Sequence, residues 1–78
     1  MRLDKYLKQT RLIKRRVVAK EATENNFVYV NDKIVKPSYQ VSVGDTIKIN
    51  FNRKSITVKV TSLSQFDLMY ELISETEN

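Results

Sequence analysis

The apolar residues of this 78-residue chain change their spacing at residue 27, and this change constrains the fold more than any other feature. Before residue 27 they recur three and four positions apart, as on one face of a helix. After it they alternate with polar residues, as in strands that bury one face. The sequence therefore predicts an α+β domain, with helices at its N-terminus and a sheet of strands joined by short turns.

Two short helices are predicted in the first part of the chain. The inner face of the first is formed by Leu3, Tyr6, Leu7 and Thr10. After a break near residues 10–13, a second helix is predicted over 14–25, with Val18 and Ala22 on its inner face. The Asn25-Asn26 pair suits the end of that helix, because asparagine tolerates the left-handed backbone found there.

Strand patterns follow, and turns separate them. The first places Val28 and Val30 on one face and reaches Asn31-Asp32, a pair that suits a tight hairpin turn. Two later patterns read VGDTIKINF and SITVKVTSL, with residues 52–54 as the turn between them. These patterns predict a hairpin followed by two further strands.

The last fifteen residues return to helical spacing and carry acidic but no basic side chains. The apolar positions of this segment are Phe66, Met69, Tyr70 and Ile73. Ser64 and Asp67 resemble a helix-capping pair. We therefore predict an acidic, helical C-terminal extension over 64–78, with a strand over 68–73 as the alternative.

Composition excludes several classes of function. The chain has no cysteine and no histidine, which removes disulfides, thiolate nucleophiles, the usual zinc sites and a Ser-His-Asp triad. Its single glycine excludes the glycine-rich loops that bind nucleotide phosphates. No apolar run approaches the about 18 residues of a membrane span. We expect a cytoplasmic protein that is not an enzyme and has no metal or cofactor.

Positive charge is concentrated at the N-terminus. Residues 1–20 carry eight basic side chains and one acid, Asp4, whereas residues 21–78 carry six bases and eight acids. A solvated helix face usually mixes both signs, and the adjacent bases 14–16 repel one another without stabilising a helix. This asymmetry favours a polyanionic partner over a merely solvated surface.

Residues 1 to about 51 also resemble the small RNA-binding domain first described in ribosomal small-subunit protein four. The matching positions are Arg2-Leu3-Asp4, Leu7, Arg11-Leu12, Arg16, Ala19, Val28, Val30-Asn31, Pro37-Ser38, Val41 and Gly44-Asp45. Asn26 and Asp32 stand where that family usually has glycine. Because both residue types tolerate a positive φ, we expect the same fold.

The resemblance implies two helices packed on a mostly antiparallel sheet of four to five strands, the alpha-L RNA-binding motif. It implies an RNA-binding domain over 1–63, followed by the extension over 64–78. The predicted helix core is Leu3, Leu7, Leu12, Val18 and Ala22, and Tyr6 and Phe27 are also predicted to be mostly buried. Tyr29 and Tyr39 are the better candidates for an exposed aromatic.

The predicted RNA-binding residues are mainly arginines and lysines, since arginine contacts two phosphate oxygens and stacks on unpaired bases. They are Arg2, Asp4, Lys5, Lys8, Arg11, Lys14, Arg15, Arg16, Lys20, Lys33 and Lys36. Asp4 is expected to favour the helix N-terminus and to orient Arg16 or Arg11 through a salt bridge. Lys33 and Lys36 are equally explained as parts of a solvated turn.

The opening residues, the LIKRR stretch and the short length look most like the stand-alone bacterial ribosome-quality-control members of this family, relatives of a short heat-shock protein. That resemblance implies binding to stalled large ribosomal subunits through rRNA and peptidyl-tRNA. It also implies support of the partner RqcH in adding C-terminal alanine tails. The chain is expected to be a monomer when off the ribosome. The alternatives are a heat-shock-type factor that recycles blocked large subunits, a protein-interaction adaptor and, more weakly, a DNA-binding regulator.

Overall fold

The structure is a computed structural model that describes residues 1–77; Asn78, the last residue of the predicted extension, lies outside the described residues. The helices are α1 (Leu3–Gln9) and α2 (Arg16–Glu24), and the strands are β1 (Val28–Val30), β2 (Lys33–Ile34), β3 (Thr46–Asn50), β4 (Lys54–Val60) and β5 (Tyr70–Glu77). This arrangement confirms the predicted α+β fold. Within residues 1–77, no helix is long and apolar enough to cross a membrane.

The strands form one sheet in the order β2-β1-β3-β4-β5, and neighbouring strands are antiparallel. The hairpin between β1 and β2 turns at Asn31 and Asp32, whose φ angles are 52° and 66°. Positive φ at both central residues gives the turn the twist that a two-residue hairpin needs. Asn26, after α2, has a φ of 64°. The expectation that these residues replace glycine without altering the fold is confirmed.

The core lies between the helices and one face of the sheet. Its buried apolar residues are Leu3, Tyr6, Leu7, Ile13, Ala19, Val28, Val30, Val41, Ile47, Ile49, Val58, Val60 and Met69. Leu3, Tyr6 and Leu7 are therefore buried as predicted, while Leu12 and Ala22 are partly buried against the core. With no cysteine in the chain, this cluster supplies most of the stability of the fold.

Two residues predicted to be buried are not. Val18 is 47% exposed and Phe27 is 50% exposed. The buried face of α2 runs instead through Ala19 and Thr23, and the Thr23 hydroxyl donates to the carbonyl oxygen of Ala19 at 2.8 Å. Val18 is rotated by 100° from Ala19 and so lies at the border of that face. The prediction was wrong because it counted apolar side chains and ignored a threonine whose hydroxyl is satisfied within the helix.

The second helix begins at Arg16 rather than at residue 14 and ends at Glu24. Arg15 precedes it with an extended backbone, at φ −121° and ψ 135°. Positive side chains are unfavourable in the first turn of a helix, where the helix dipole is already positive, so residues 14 and 15 gain little from helical conformation. They belong instead to the connection between α1 and α2.

The predicted C-terminal helix is wrong, and the alternative strand is present. β5 pairs with β4 along its length, with a register irregularity beside Thr57 and Val58. Without β5, the outer edge of the long strand β4 would leave its backbone groups unpaired, so pairing overrides the helical spacing of the apolar residues. The predicted capping residues form a turn, in which the Asp67 N–H donates to the Ser64 carbonyl oxygen at 3.1 Å.

Candidate nucleic-acid interface

All eight basic residues of the first twenty are exposed, on α1, on α2 and on the connection between them. We call them the basic surface: Arg2, Lys5, Lys8, Arg11, Lys14, Arg15, Arg16 and Lys20. Apolar residues beneath it fix its shape, because α1 turns Leu3 and Leu7 inward and the buried Ile13 anchors the connection to the core. The N–H of Ile13 donates to the Leu7 carbonyl oxygen at 3.1 Å.

Asp4 binds two arginines of the basic surface. Its carboxylate accepts Arg2 Nε and Nη2, both at 3.2 Å, and Arg16 Nη2 at 3.4 Å. The backbone N–H of Lys5 donates to the same carboxylate at 2.8 Å. The predicted salt bridge between Asp4 and Arg16 is confirmed, and the partner that joins it is Arg2 rather than Arg11.

The Asp4 carboxylate is charged although it is buried. Burial by itself raises the pKa of this carboxyl, but the hydrogen bonds from Arg2 and from the Lys5 N–H, with the charge of Arg16, outweigh it and lower the pKa. The Asp4 side chain is only 3% exposed, whereas those of Arg2 and Arg16 are 44% and 48% exposed. Asp4 was predicted to be an RNA-binding residue, and that stays a prediction; in this structure its carboxylate contacts Arg2 and Arg16. It positions the two guanidinium groups that face solvent.

The start of α1 is fastened to the loop before β3. The N–H groups of Leu3 and Asp4 donate to the carbonyl oxygens of Tyr39 and Pro37 at 2.8 and 3.2 Å. This pairing holds Asp4 at the first turn of α1. Tyr39 is half-buried and its hydroxyl donates to Asp45 at 3.1 Å, so it supports this loop rather than presenting a free aromatic face. Tyr29 is likewise half-buried.

Three grooves bring the predicted residues together in groups. Arg2, Arg16 and Lys20 surround Asp4 in a groove of about 300 Å³. A second groove of about 640 Å³ is lined by Lys36 together with Arg2 and Lys20. A third groove of about 710 Å³ is lined by Lys8, Arg11, Lys14 and residues 65–66. Three further predicted residues are exposed but lie outside these grooves: Lys5, Arg15 and Lys33.

Arg11 has a backbone conformation that the sequence did not predict. Its φ is 61°, in the left-handed region that disfavours residues other than glycine, asparagine and aspartate. Its N–H donates to the Lys8 carbonyl oxygen at 3.0 Å, which ends α1. The pattern of apolar residues carries no signal for such a position, since the strain lies in the backbone.

A family model described as the S4 domain matches residues 1–47. The protein named RQC P-site tRNA stabilizing factor of Streptococcus pneumoniae is 44% identical, over 97% of this chain and 93% of its own length. A protein of the same name from Listeria monocytogenes is 46% identical, over 96% of this chain and 88% of its own length.

Among solved structures, the trimeric Heat Shock Protein 15 of Vibrio cholerae superposes with a TM-score of 0.87 at 26% sequence identity, covering 95% of this chain and 82% of that one. The comparison of structures and the comparison of sequences therefore indicate the same fold. The resemblance to the domain of ribosomal small-subunit protein four, and within it to the quality-control factor RqcP, is confirmed by these relatives. The chain belongs to the S4 domain family, in the group that contains the RQC P-site tRNA stabilizing factors.

Proposed function

We propose that this chain is an RNA-binding factor of ribosome quality control, which binds peptidyl-tRNA and rRNA on stalled large ribosomal subunits. The observation that carries the proposal is the Asp4 cluster, in which one buried carboxylate holds two half-exposed arginines within the basic surface. The name shared by the relatives supports tRNA in the P site as one ligand. The factor acts by binding, in the cytoplasm and on the ribosome, without catalysis of its own.

The geometry suits the recognition of RNA backbone. Each arginine gives part of its planar fork to Asp4 and keeps further N–H donors for phosphate oxygens. Because the two side chains are already ordered, binding costs less side-chain entropy than it would with free arginines. The remaining members of the basic surface add attraction that weakens as salt rises. Arg2 and Arg16 therefore specify orientation, and the lysines contribute mainly charge.

A second protein, RqcH, would act on the peptidyl-tRNA that this factor stabilises. RqcH would add alanine to the C-terminus of the nascent chain while this factor holds the peptidyl-tRNA in place. The likeness to Heat Shock Protein 15 favours a second candidate, a factor that recycles blocked large subunits. A reconstituted reaction with stalled large subunits and RqcH separates the two. Alanine tails that lengthen when the factor is added support the first, and release of tRNA without tails supports the second.

Replacement of Arg16 tests the proposal directly. We expect Arg16→Ala to weaken binding to purified large subunits that carry peptidyl-tRNA by about 10- to 150-fold, since a hydrogen bond to a charged group is worth about 1.5–3 kcal/mol. The slope of log affinity against log salt should flatten by somewhat under one unit, as for one lost phosphate contact. Co-sedimentation over a salt series measures both quantities.

The matched control is Arg53→Ala, which removes the same charge from the exposed turn between β3 and β4. Asp4 keeps Arg2 and the Lys5 N–H in the Arg16 variant, so the thermal unfolding temperature should stay close to that of the parent. Equal affinity of the Arg16→Ala and Arg53→Ala proteins for large subunits would refute the central role of the Asp4 cluster.

A further inference from the structure

The groove of about 710 Å³ at the end of α1 combines cationic, amide and aromatic side chains. It is lined by Lys8, Gln9, Arg11, Lys14, Gln65 and Phe66. The first four residues lie on α1 and the connection that follows it, whereas the last two lie on the loop between β4 and β5. That loop lies outside residues 1–47, the part that matches the family model. The groove therefore joins the basic surface to a part of the chain for which the family match assigns no role.

Phe66 is the most exposed large apolar residue among those described, at 88%. A single exposed aromatic residue needs no special explanation. Here, however, it faces a groove that it shares with Lys8, Arg11 and Lys14, and each of these can supply positive charge. Gln9 and Gln65 add amides that both donate and accept hydrogen bonds. This combination matches the parts of an unpaired nucleotide: a base with a flat face, polar base edges and a phosphate.

The loop that carries Phe66 is held in place by hydrogen bonds. Phe66 N–H donates to the Ser64 hydroxyl at 3.3 Å, and the Thr61 hydroxyl donates to the Leu68 carbonyl oxygen at 2.9 Å. At its end, the buried Tyr6 hydroxyl of α1 donates to the Met69 carbonyl oxygen at 2.7 Å. The end of the loop is thus fastened to the same helix that supplies Lys8, which places Phe66 and the cations at one groove.

We propose that this groove binds one unpaired nucleotide of RNA, with its base stacked on Phe66 and its phosphate held by Lys8, Arg11 and Lys14. The inference rests on the proposed RNA-binding function and adds a site for single-stranded RNA to it. Stacking tolerates any base, because every base has a flat π face, so the site recognises an unpaired nucleotide rather than a sequence. The acid nearest in the loop, Asp67, accepts the Ser62 hydroxyl at 3.2 Å and is not among the groove-lining residues.

The conformation of Arg11 is an independent observation that points to the same site. A left-handed φ costs a residue with a β-carbon about 1–2 kcal/mol, and glycine would avoid that cost. An arginine in this conformation lies at the groove, and strained residues concentrate at binding sites. An acidic protein segment without apolar side chains would be attracted by the three cations but would gain little from Phe66. The combination of cations and an exposed aromatic ring therefore favours RNA over a purely acidic protein segment.

The first test uses fluorescence, because the chain contains no tryptophan. Phe66→Trp places the only indole of the protein at the proposed stacking position. Titration with a uridine decamer should quench its emission, whereas a blunt-ended RNA duplex of the same length should quench it much less. Leu68→Trp is the matched control, since Leu68 is 75% exposed on the same loop and does not line the groove. Equal quenching of both tryptophans, or quenching of neither, would overturn the proposal.

The second test measures affinity for the same decamer. Phe66→Ala should weaken binding by about 5- to 150-fold, the value of one base–aromatic stack, and Phe66→Tyr should restore it. Leu68→Ala should leave it unchanged. An unchanged affinity of Phe66→Ala overturns the nucleotide site. If the nucleotide site fails this test but Arg16→Ala still weakens binding to large subunits, the proposed function stands. If Arg16→Ala also leaves that binding unchanged, both proposals fail. Tighter binding of an aspartate-rich peptide than of the decamer would identify the groove as a protein site instead.

Discussion

The helical part of the chain and its sheet differ in how closely their residues follow ordinary preferences for backbone conformation and for the placement of charge. In the sheet and its approaches, positive φ angles fall on Asn26, Asn31, Asp32 and Gly44, residue types that suit them. In the helical part the same conformation falls on Arg11. The helical part also buries a carboxylate and carries adjacent bases, neither of which stabilises a fold by itself.

This difference is what we expect if the helical part serves the proposed binding function and the sheet serves mainly to stabilise the fold. A chain selected only for stability would satisfy local preferences throughout, and departures concentrate where a surface must do something else. Here the departures all lie in the basic surface or directly beneath it. The sheet, by contrast, ends in the acidic strand β5, whose ion pair between Lys54 and Glu75 at 3.4 Å is half-exposed and contributes little.

The largest expected effect is a loss of stability when a leucine of the helical part is shortened, compared with the same change in the sheet. Leu7 on α1 is fully buried, whereas Leu72 on β5 is 52% exposed. Leu7→Ala should lower the free energy of unfolding by about 2–5 kcal/mol, because it removes transfer energy and leaves a cavity. Leu72→Ala should cost less than about 1 kcal/mol. Urea unfolding followed by circular dichroism measures both, and equal losses would show that β5 is as much a part of the core as α1.

A smaller effect is expected from Asp4→Asn. At pH 7 this variant should lose about 1–2 kcal/mol of unfolding free energy, since charge-assisted hydrogen bonds to half-exposed arginines are weakened by solvent. The pKa of Asp4 is lowered below its ordinary value of 3.8 in the folded state, because its hydrogen bonds and the nearby arginines outweigh burial. Its contribution is therefore complete above pH 3.8 and is lost as pH falls through the lower, folded value.

Urea unfolding between pH 7 and pH 2 checks this prediction, and the two proteins should converge at the acid end. Asp32→Asn is the control, since it removes an exposed acid from a turn where asparagine also accepts the positive φ. If Asp4→Asn and Asp32→Asn behave alike at every pH, the Asp4 cluster does not stabilise the fold.

The smallest expected effect on the free energy of unfolding is at Arg11, where a substitution should stabilise the fold instead of destabilising it. Arg11→Asn should raise the free energy of unfolding by up to about 1 kcal/mol, because asparagine tolerates the left-handed backbone better. Arg11→Ala loses the same guanidinium but keeps the strain, so it should show no such gain. Both variants should bind RNA more weakly. Thermal unfolding and RNA titration of the pair measure the two effects, and a stabilised Arg11→Ala protein would contradict the strain argument.

The features predicted well from the sequence depend on neighbours along the chain. The face of α1, the hairpin turn at Asn31-Asp32 and the alternation of β1 follow from local spacing and local backbone preference. The salt bridge from Asp4 to Arg16 was also expected, because an isolated acid among bases has few other partners. Each of these features lies within a short segment of the chain, so the local sequence is enough to predict it.

The features missed depend on distant partners. β5 repeats apolar residues at helical spacing, but the open edge of β4 determines its structure. Val18 was misplaced because the buried face of α2 runs through Ala19 and Thr23, and the spacing of apolar residues does not show that a threonine is buried. Phe27 was misplaced because it precedes the buried Val28 of β1, and neighbouring residues of an extended chain point to opposite sides. The groove at Phe66 was invisible because it joins α1 to a loop more than fifty residues away.

The acidic strand β5 also affects how readily copies of this chain aggregate. It is one outer strand of the sheet, and exposed outer strands invite pairing with other chains and aggregation. Glu71, Glu75 and Glu77 line this strand, so a second copy that added there would bring like charges side by side. Repulsion between these carboxylates therefore opposes the addition of further strands at this edge of the sheet.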